Sequence, residues 1–308
     1  MQTEQAVLRM SVAMTVLVAA VGIVFGLLSG SFAIVFDGIY ALTDATMTLV
    51  ALLVSRLIAA AAVSGPATGK LADRFTVGFW HLEPMVLALN GLMLMTAAIY
   101  GLINAVGSVM TGGRELAFGQ AIIYAVATLA ITLVMAFFAQ RANRTIRSDL
   151  VALDVKAWIM SAALTAAFLL AFIIGALVEG SDRAWIAPYI DPVALGLVSL
   201  VILPMPFSTV RQALADILLV TPLDLKRHVD EVASAVVQRH GFLSYRAYVA
   251  KVGRGRQIEL YFIVPKDWPA KRLEEWDALR DEIGDALGEA SPDRWLTIAF
   301  TTDPEWAE

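Results

Sequence analysis

The stretch "SVAMTVLVAAVGIVFGLL", which runs from Ser11 to Leu28, decides the fold class of this chain. It is about 18 almost wholly apolar residues long, and a helix needs ~20 such residues to cross a bilayer. The apolar segment of a secretory leader is shorter, roughly 7–15 residues. We therefore interpret the stretch as the first membrane-spanning helix and expect that it is not cleaved.

The composition of the whole chain agrees with a membrane protein. Of its 308 residues, 58% are hydrophobic and 17% are charged, whereas soluble domains are ~45–50% apolar and ~25% charged. The chain has no cysteine, which excludes disulfides and thiolate metal sites. It has three histidines, too few to build a histidine-rich site inside the membrane. The net charge of −5 gives no indication of a nucleic-acid partner.

Five further apolar stretches are long enough to span a bilayer, and each must be helical because a bilayer offers no water to free backbone groups. Pro204 and Pro206 are expected to kink or end the last span, since proline removes a backbone donor. The predicted spans are residues 9–29, 32–62, 82–108, 117–140, 150–178 and 189–215.

The distribution of Lys and Arg predicts the orientation. The side with more positive charge faces the cytoplasm, which places both termini there in a multi-pass protein of the cytoplasmic (inner) membrane. Only Arg114 and Arg183 fall in loops on the opposite side. The residues on the cytoplasmic side are Arg9, Arg56, Lys70, Arg74, Arg141, Arg144 and Arg147.

Beyond about residue 220 the sequence becomes charged and amphipathic. Leu223 to His240 and Lys271 to Leu287 have helical periodicity, while "SYRAYVAK", "QIELYFIV" and "RWLTIAF" are typical of strands. The turn signal "VGRGR" separates the first two strands. The order helix, strand, strand, helix, strand predicts a small α+β domain with its helices on one face of a sheet. We thus expect a membrane domain over residues 1–220 and a tail domain over residues 221–308.

Polar side chains interrupt the second span. In "FDGIYALTDATMTLV", Asp37, Tyr40 and Asp44 recur at i, i+3 and i+7 and share one helical face. A charge at the bilayer centre costs at least ~2.5–3.5 kcal/mol. Two carboxylates on one stripe should therefore face a cavity, an ion or a partner helix. The alternative is that they only hold helices together through hydrogen bonds.

The fifth span repeats this spacing. The segment "DVKAWIMS" places Asp154, Ala157 and Ser161 at i, i+3 and i+7, with Lys156 on the other side of the helix. Two helices with matched polar stripes can enclose a site between them. The alternative for Ser161 is the packing of a small residue between helices.

The chain resembles the cation diffusion facilitator family of divalent-metal/proton exchangers. "SGSFAIVFDGIYALTDA" resembles the second helix of that family, "VGFWHLEPMVLALNGLML" the third and "YIDPVALGLVSLVI" the sixth. "GFLSYRAYVAKVGRGRQIELYFIVP" resembles its cytoplasmic ferredoxin-like domain. The resemblance implies a transporter rather than an enzyme, a homodimer joined partly through the tails, and no resident cofactor. Its partners would be a divalent metal ion, protons and the lipid bilayer.

The family binds its ion with two ligands from the second helix and two from the fifth. This pattern falls on Tyr40, Asp44, Ala157 and Ser161, of which Asp44 alone matches the usual ligands. The donors that remain are oxygens, which suit Mn²⁺ or Fe²⁺ better than Zn²⁺. We predict a degenerate metal site for a cation of the Mn, Fe, Co or Zn class. Its residues are Asp44, Tyr40, Asp37, Asp154 and Ser161.

Two other interpretations arise because this chain lacks most of the usual ligands of the family. A relative that has lost three of four ligands could be a non-transporting membrane scaffold or sensor. An intramembrane enzyme is not favoured, because no nucleophile–base pair or zinc-protease motif is present.

The remaining polar residues are weaker candidates. Asp73, His81 and Glu83 are expected in a solvated loop rather than an entry funnel, and Phe75 and Phe79 stand where histidines would support a loop metal site. No metal site is expected in the tail, where the histidines are His228 and His240. Asn90 and Asn104 are expected to form helix–helix hydrogen bonds, and the alternative is that they bind an ion.

Overall fold

The computed structural model describes residues 4–63, 78–146, 149–288, 290–291 and 293–308. The residues Lys70, Asp73, Arg74, Phe75 and Arg147, which figure in the sequence-based predictions, lie outside these ranges.

Six segments of the described residues are long and apolar enough to cross a membrane, as the sequence predicts. Large apolar side chains remain exposed along them, such as Leu27 and Leu28 at 71% each, which suits a surface covered by lipid. The helices are α1 (Glu4–Ser29), α2 (Phe32–Val63), α3 (Leu82–Met110), α4 (Phe118–Ile146), α5 (Asp149–Glu179), α6 (Ala187–Ile202) and α7 (Phe207–Ile217).

The sixth span is broken where its prolines predict. Helix α6 ends at Ile202 and α7 begins at Phe207, so turns containing Pro204 and Pro206 separate them. A short 3-10 helix, Ala184–Ile186, leads into α6. The broken span therefore consists of two helices in series.

Small residues bring α1 and α2 into close contact. A Cβ atom added to Gly38 of α2 would lie 2.8 Å from the carbonyl oxygen of Ala19 in α1. A Cβ atom added to Gly22 of α1 would lie 2.5 Å from the hydroxyl of Tyr124 in α4. Glycine at both positions lets the backbones approach, as is usual between membrane helices. Gly38 thereby fixes the turn of α2 that carries Asp37.

The C-terminal region folds as an α+β domain of the ferredoxin-like type. Helices α8 (Leu223–His240) and α9 (Leu273–Leu287) accompany strands β1 (Ser244–Val252), β2 (Gly255–Ile263) and β3 (Arg294–Thr301). The sheet order is β1-β2-β3, with β1 antiparallel and β3 parallel to β2. The predicted order of elements is confirmed.

One face of this sheet carries the core of the tail. Ile258, Leu260 and Phe262 alternate along β2 and are at most 3% exposed. They pack in one cluster with apolar residues of α8 and α9, which also contact each other. This places both helices on the same face, as predicted.

Contacts between Cα atoms group the chain into two compact units. The first comprises Met1–Leu49 and Leu89–Ser208, and the second comprises Val50–Ala88 and Thr209–Glu308. The second unit thus combines the tail with parts of three spans. The domain boundary predicted between residues 220 and 221 stays a prediction.

Within the second unit, the β1–β2 hairpin docks on the start of α3. Arg254 donates from Nε to Oε2 of Glu83 at 3.0 Å and from Nη2 to Oε1 at 3.3 Å. These hydrogen bonds raise the pKa of Arg254 above its ordinary value. Gly253, at φ +60°, has its backbone N–H near Asp216 of α7. Gly255 lies against the Trp80 ring. Glu83 is therefore engaged by the tail, in contrast to the predicted solvated loop.

Candidate metal site

The polar stripe of the second span lies at the edge of the apolar core. Asp37, Tyr40 and Asp44 of α2 are all half-buried. Tyr40 packs against the core, with its ring 5.9 Å from that of Phe36. It also lies close enough to Asp44, which is one turn further along α2, for the two side chains to interact electrostatically. Asp44 and Tyr40 are thus brought together.

Helix α3 adds a further polar group beside Asp44. The side chain of Asn90 lies within hydrogen-bonding reach of Asp44. The amide oxygen of Asn90, Oδ1, is buried and has no partner in the described part of the chain. The helix–helix hydrogen bonds expected for Asn90 and Asn104 stay predictions. What the structure gives is a carboxylate of α2 and an amide of α3 side by side.

Asp37 lies on the same face of α2 but has another neighbour. Its charge acts on Tyr124 of α4, whose hydroxyl is the atom closest to an added Cβ at Gly22. That hydroxyl is buried and lies near the side chain of Thr128. Asp37 therefore belongs to a small polar region between α1, α2 and α4.

Asp154 of α5 is held by α1. Ser11 donates from Oγ to Oδ1 of Asp154 at 2.6 Å, and Trp158 donates from Nε1 to Ser11 Oγ at 2.8 Å. Oδ2 of Asp154 is buried without a partner among the described residues. The carboxyl group therefore has one hydrogen-bonded oxygen and one oxygen without a partner among the described residues.

The two family positions on α5 differ in burial. Ser161 is half-buried, and Ala157 is exposed and offers no donor. Lys156 is exposed, as expected for a side chain that extends toward the membrane surface.

The predicted site residues therefore fall into distinct polar groups. Tyr40 and Asp44 adjoin Asn90, Asp37 adjoins Tyr124, and Asp154 bonds to Ser11. Over the residues that the structure describes, no group of three or more His, Cys, Asp or Glu side chains could hold a metal ion. A cation site near Asp44 would need neutral oxygen donors, of which Tyr40 and Asn90 are at hand.

The tail histidines take part in the fold. Nε2 of His228 lies 3.1 Å from the carbonyl oxygen of Leu287, and the ring of His240 stacks on Phe242 at 5.7 Å. Both contacts tie α8 to neighbouring parts of the tail domain.

Sequence reasoning missed the role of Asp191 in α6. Asp191 is 1% exposed and accepts hydrogen bonds from Ser31 Oγ and the Phe32 backbone N–H. Ser31 in turn accepts from the Ile34 backbone N–H, so the two side chains cap the start of α2. An acid directly before Pro192 in an apolar span is the signal that could have revealed it. The role of this carboxylate is to fix the N-terminus of the helix that carries Asp44.

Comparison with known proteins gives one match to a family. The model of the cation efflux transmembrane domain matches residues 8–218, which is most of the chain and overlaps all six apolar spans of the described residues. No curated protein matches the chain.

Proposed function

Because the chain belongs to the cation efflux family, we propose that it exports a divalent cation of the Mn, Fe, Co or Zn class from the cytoplasm in exchange for protons. Membership of the family makes it a multi-pass membrane transporter of divalent cations. The proposal also includes the choice of ion, the counter-ion, a homodimer, location in the inner membrane and the orientation in that membrane.

The observation that carries the proposal is the environment of Asp44. Asp44 is a half-buried carboxylate in an apolar span, and it lies beside Asn90 and Tyr40. Ionisable residues inside membrane spans usually line ion pathways or bind substrates. The carboxylate of Asp44 offers a divalent cation charge neutralisation, and the phenol of Tyr40 offers it a neutral oxygen.

The chemistry of these donors favours particular ions. Carboxylate, phenol and amide oxygens suit Mn²⁺ or Fe²⁺ better than Zn²⁺, which prefers imidazole and thiolate. Mg²⁺ loses its water reluctantly, so a route lined by helices would have to stay wet for it. We therefore place manganese and iron ahead of zinc.

Proton exchange would depend on carboxyl groups. Asp154, with one open oxygen, and Asp37 are the candidates besides Asp44 itself. A carboxylate that loses its cation inside a low-dielectric span gains by taking up a proton. Alternate occupation by metal and proton, with the site open to one side at a time, would couple the two fluxes.

A transport assay tests the proposal. Everted membrane vesicles with a metal-sensitive dye inside would receive Mn²⁺, Fe²⁺, Co²⁺ or Zn²⁺ in turn. We expect uptake by the native chain, loss of uptake in Asp44→Ala, and no change in the control Asp182→Ala, whose side chain is exposed in a loop. Equal uptake by native and Asp44→Ala vesicles would refute the assignment of Asp44.

The second candidate is a non-transporting scaffold or sensor. Ala157, exposed and without a donor at a family ligand position, favours it. This function predicts that no divalent ion causes proton flux or raises the unfolding temperature of the purified protein. Either effect with any ion of the panel would exclude it.

A further inference from the structure

The oxygen donors that the family takes from the fifth helix are depleted in this chain. Ala157 has no donor, and Ser161 offers only a neutral hydroxyl. Asp44 and Tyr40 together supply one carboxylate and one phenol, fewer ligands than a divalent ion of the manganese type requires. The site therefore has room for another protein ligand close to Asp44.

Asn90 of α3 is next to Asp44 and has an unused acceptor. An ionised carboxylate only accepts hydrogen bonds, so the contact with Asp44 must come from the NH₂ group of Asn90. The other end of the amide, Oδ1, is buried and has no partner in the described residues. Buried polar atoms in proteins nearly always have partners. Because Oδ1 has none among the described residues, no hydrogen bond at that end holds the amide in its present orientation.

Asn90 can face Asp44 with either end of its amide group. A half-turn of the amide about the Cβ–Cγ bond exchanges NH₂ for Oδ1. With NH₂ toward Asp44, the carboxylate has a hydrogen-bond donor. With Oδ1 toward Asp44, a cation on the carboxylate gains an amide oxygen as a ligand.

We propose that Asn90 is a cation ligand contributed by the third span, in place of the ligands missing from the fifth. The site comprises Asp44 and Tyr40 from α2 and Asn90 from α3. Its substrate class is a divalent cation that prefers oxygen ligands, with Mn²⁺ bound more tightly than Zn²⁺. This inference rests on the proposed transport function.

Binding of Mn²⁺ and Zn²⁺ to the purified full-length protein in lipid nanodiscs tests the inference by titration calorimetry. Asn90→Leu keeps the approximate volume but removes the oxygen, and Asn104→Leu makes the same change elsewhere on α3. Loss of an outer-shell partner of a metal site costs ~10–100-fold in affinity, so loss of a direct ligand should cost at least ~10-fold. We expect that loss for Mn²⁺ in Asn90→Leu and native affinity in Asn104→Leu.

A second variant keeps the test decisive if Asn90→Leu does not fold. Asn90→His exchanges the oxygen for an imidazole nitrogen and should lower the ratio of Mn²⁺ to Zn²⁺ affinity by at least ~10-fold. An unchanged ratio in Asn90→His, or native Mn²⁺ affinity in Asn90→Leu, would overturn the role of Asn90.

The outcomes separate this inference from the proposed function. If the native protein binds no divalent ion, or if Asp44→Ala binds Mn²⁺ as well as the native protein does, the proposed site itself is wrong. If binding depends on Asp44 but is indifferent to Asn90, only the ligand role of Asn90 is wrong.

Discussion

At the scale of single residues, the carboxylates inside the spans differ in what they contact. Asp191 caps the start of α2 and is fully used by the fold. Asp154 keeps an oxygen without a partner, Oδ2, and Asp44 lies beside Asn90, whose Oδ1 has no partner among the described residues. We expect these carboxylates, rather than Asp191, to exchange ligands during transport.

Asp154 offers a test of proton coupling at this scale. Asp154→Asn preserves size and the contact with Ser11 but cannot carry a proton. We expect it to retain Mn²⁺ binding near Asp44 while the proton flux that accompanies Mn²⁺ falls at least several-fold. A pH-sensitive dye inside proteoliposomes measures that flux.

Ser11→Ala provides the control for Asp154→Asn. It removes the hydrogen bond to Asp154 but leaves the carboxyl group in place. Normal proton flux in Asp154→Asn would show that this residue serves only to join α1 and α5.

The sequence could predict Asp44 but not its partner. The spacing in "FDGIYALTDA" and the family pattern both select Asp44 from the residues alone. The contact with Asn90 depends on how α3 is placed against α2, and no local pattern encodes that placement. The same holds for Ser11 and Asp154, which are separated by 143 positions.

At the scale of elements, most helices and strands could be predicted because each has a strong local signal. Apolar length identifies the spans, and alternation identifies β2. The exact ends have weaker signals: α9 begins at Leu273, two positions after the predicted Lys271, where the backbone N–H of Arg272 donates to Oε1 of Glu275 at 3.5 Å. Capping depends on a few side-chain contacts, which periodicity alone does not reveal.

The approach of α1 and α2 can be tested by adding one methyl group. Gly38→Ala would place a Cβ atom 2.8 Å from a backbone oxygen, so the helices must separate. We expect a loss of ~1–3 kcal/mol in the free energy of unfolding, as is usual for overpacking. The midpoint of thermal unfolding in detergent measures it.

Gly107→Ala on α3 is the matched control for this change, since no atom lies within 4 Å of its added Cβ. It should leave the midpoint unchanged or raise it, because alanine favours a helix over glycine by up to ~1 kcal/mol. Equal midpoints for the two variants would contradict close packing at Gly38.

The docking of the β1–β2 hairpin can be tested through Arg254. Arg254→Ala removes the bidentate pair with Glu83, which we expect to contribute about 1 kcal/mol at this partly exposed position. Backbone amides of residues 252–256 should then exchange hydrogen roughly fivefold faster. Hydrogen exchange with mass spectrometry reports this directly.

Arg227→Ala serves as the comparison for the hairpin. Arg227 pairs with Asp224 at 3.7 Å, and both side chains are largely exposed, so its loss should not alter exchange in the hairpin. Unchanged exchange in Arg254→Ala would mean that Gly253 and Gly255 hold the hairpin without the ion pair.

At the scale of the whole molecule, composition predicts a membrane part and a charged tail, while the compact units depend on distant contacts. Arg254 and Glu83 are 171 positions apart, and contacts of this kind unite the tail with residues 50–88. A change in composition near residue 220 cannot reveal such contacts, because it reflects the solvent around each segment rather than its packing.

The absence of cysteine from the chain makes its orientation directly testable. Ser181→Cys lies in the exposed connection between α5 and α6, and Glu231→Cys lies on the exposed surface of α8. The charge distribution predicts that an impermeant maleimide labels Ser181→Cys on intact cells and labels Glu231→Cys only after permeabilisation. The reverse pattern would invert the proposed direction of transport.

We propose that this chain moves a divalent cation in exchange for protons through a site that contains Asp44. The most direct measurement follows Mn²⁺ and pH together in liposomes that contain only the purified protein. We expect that in the native protein Mn²⁺ enters the liposomes while protons leave them. We expect neither flux in Asp44→Asn, which keeps the size of the side chain but removes its charge. Absence of both fluxes in the native protein, or their persistence in Asp44→Asn, would contradict this proposal.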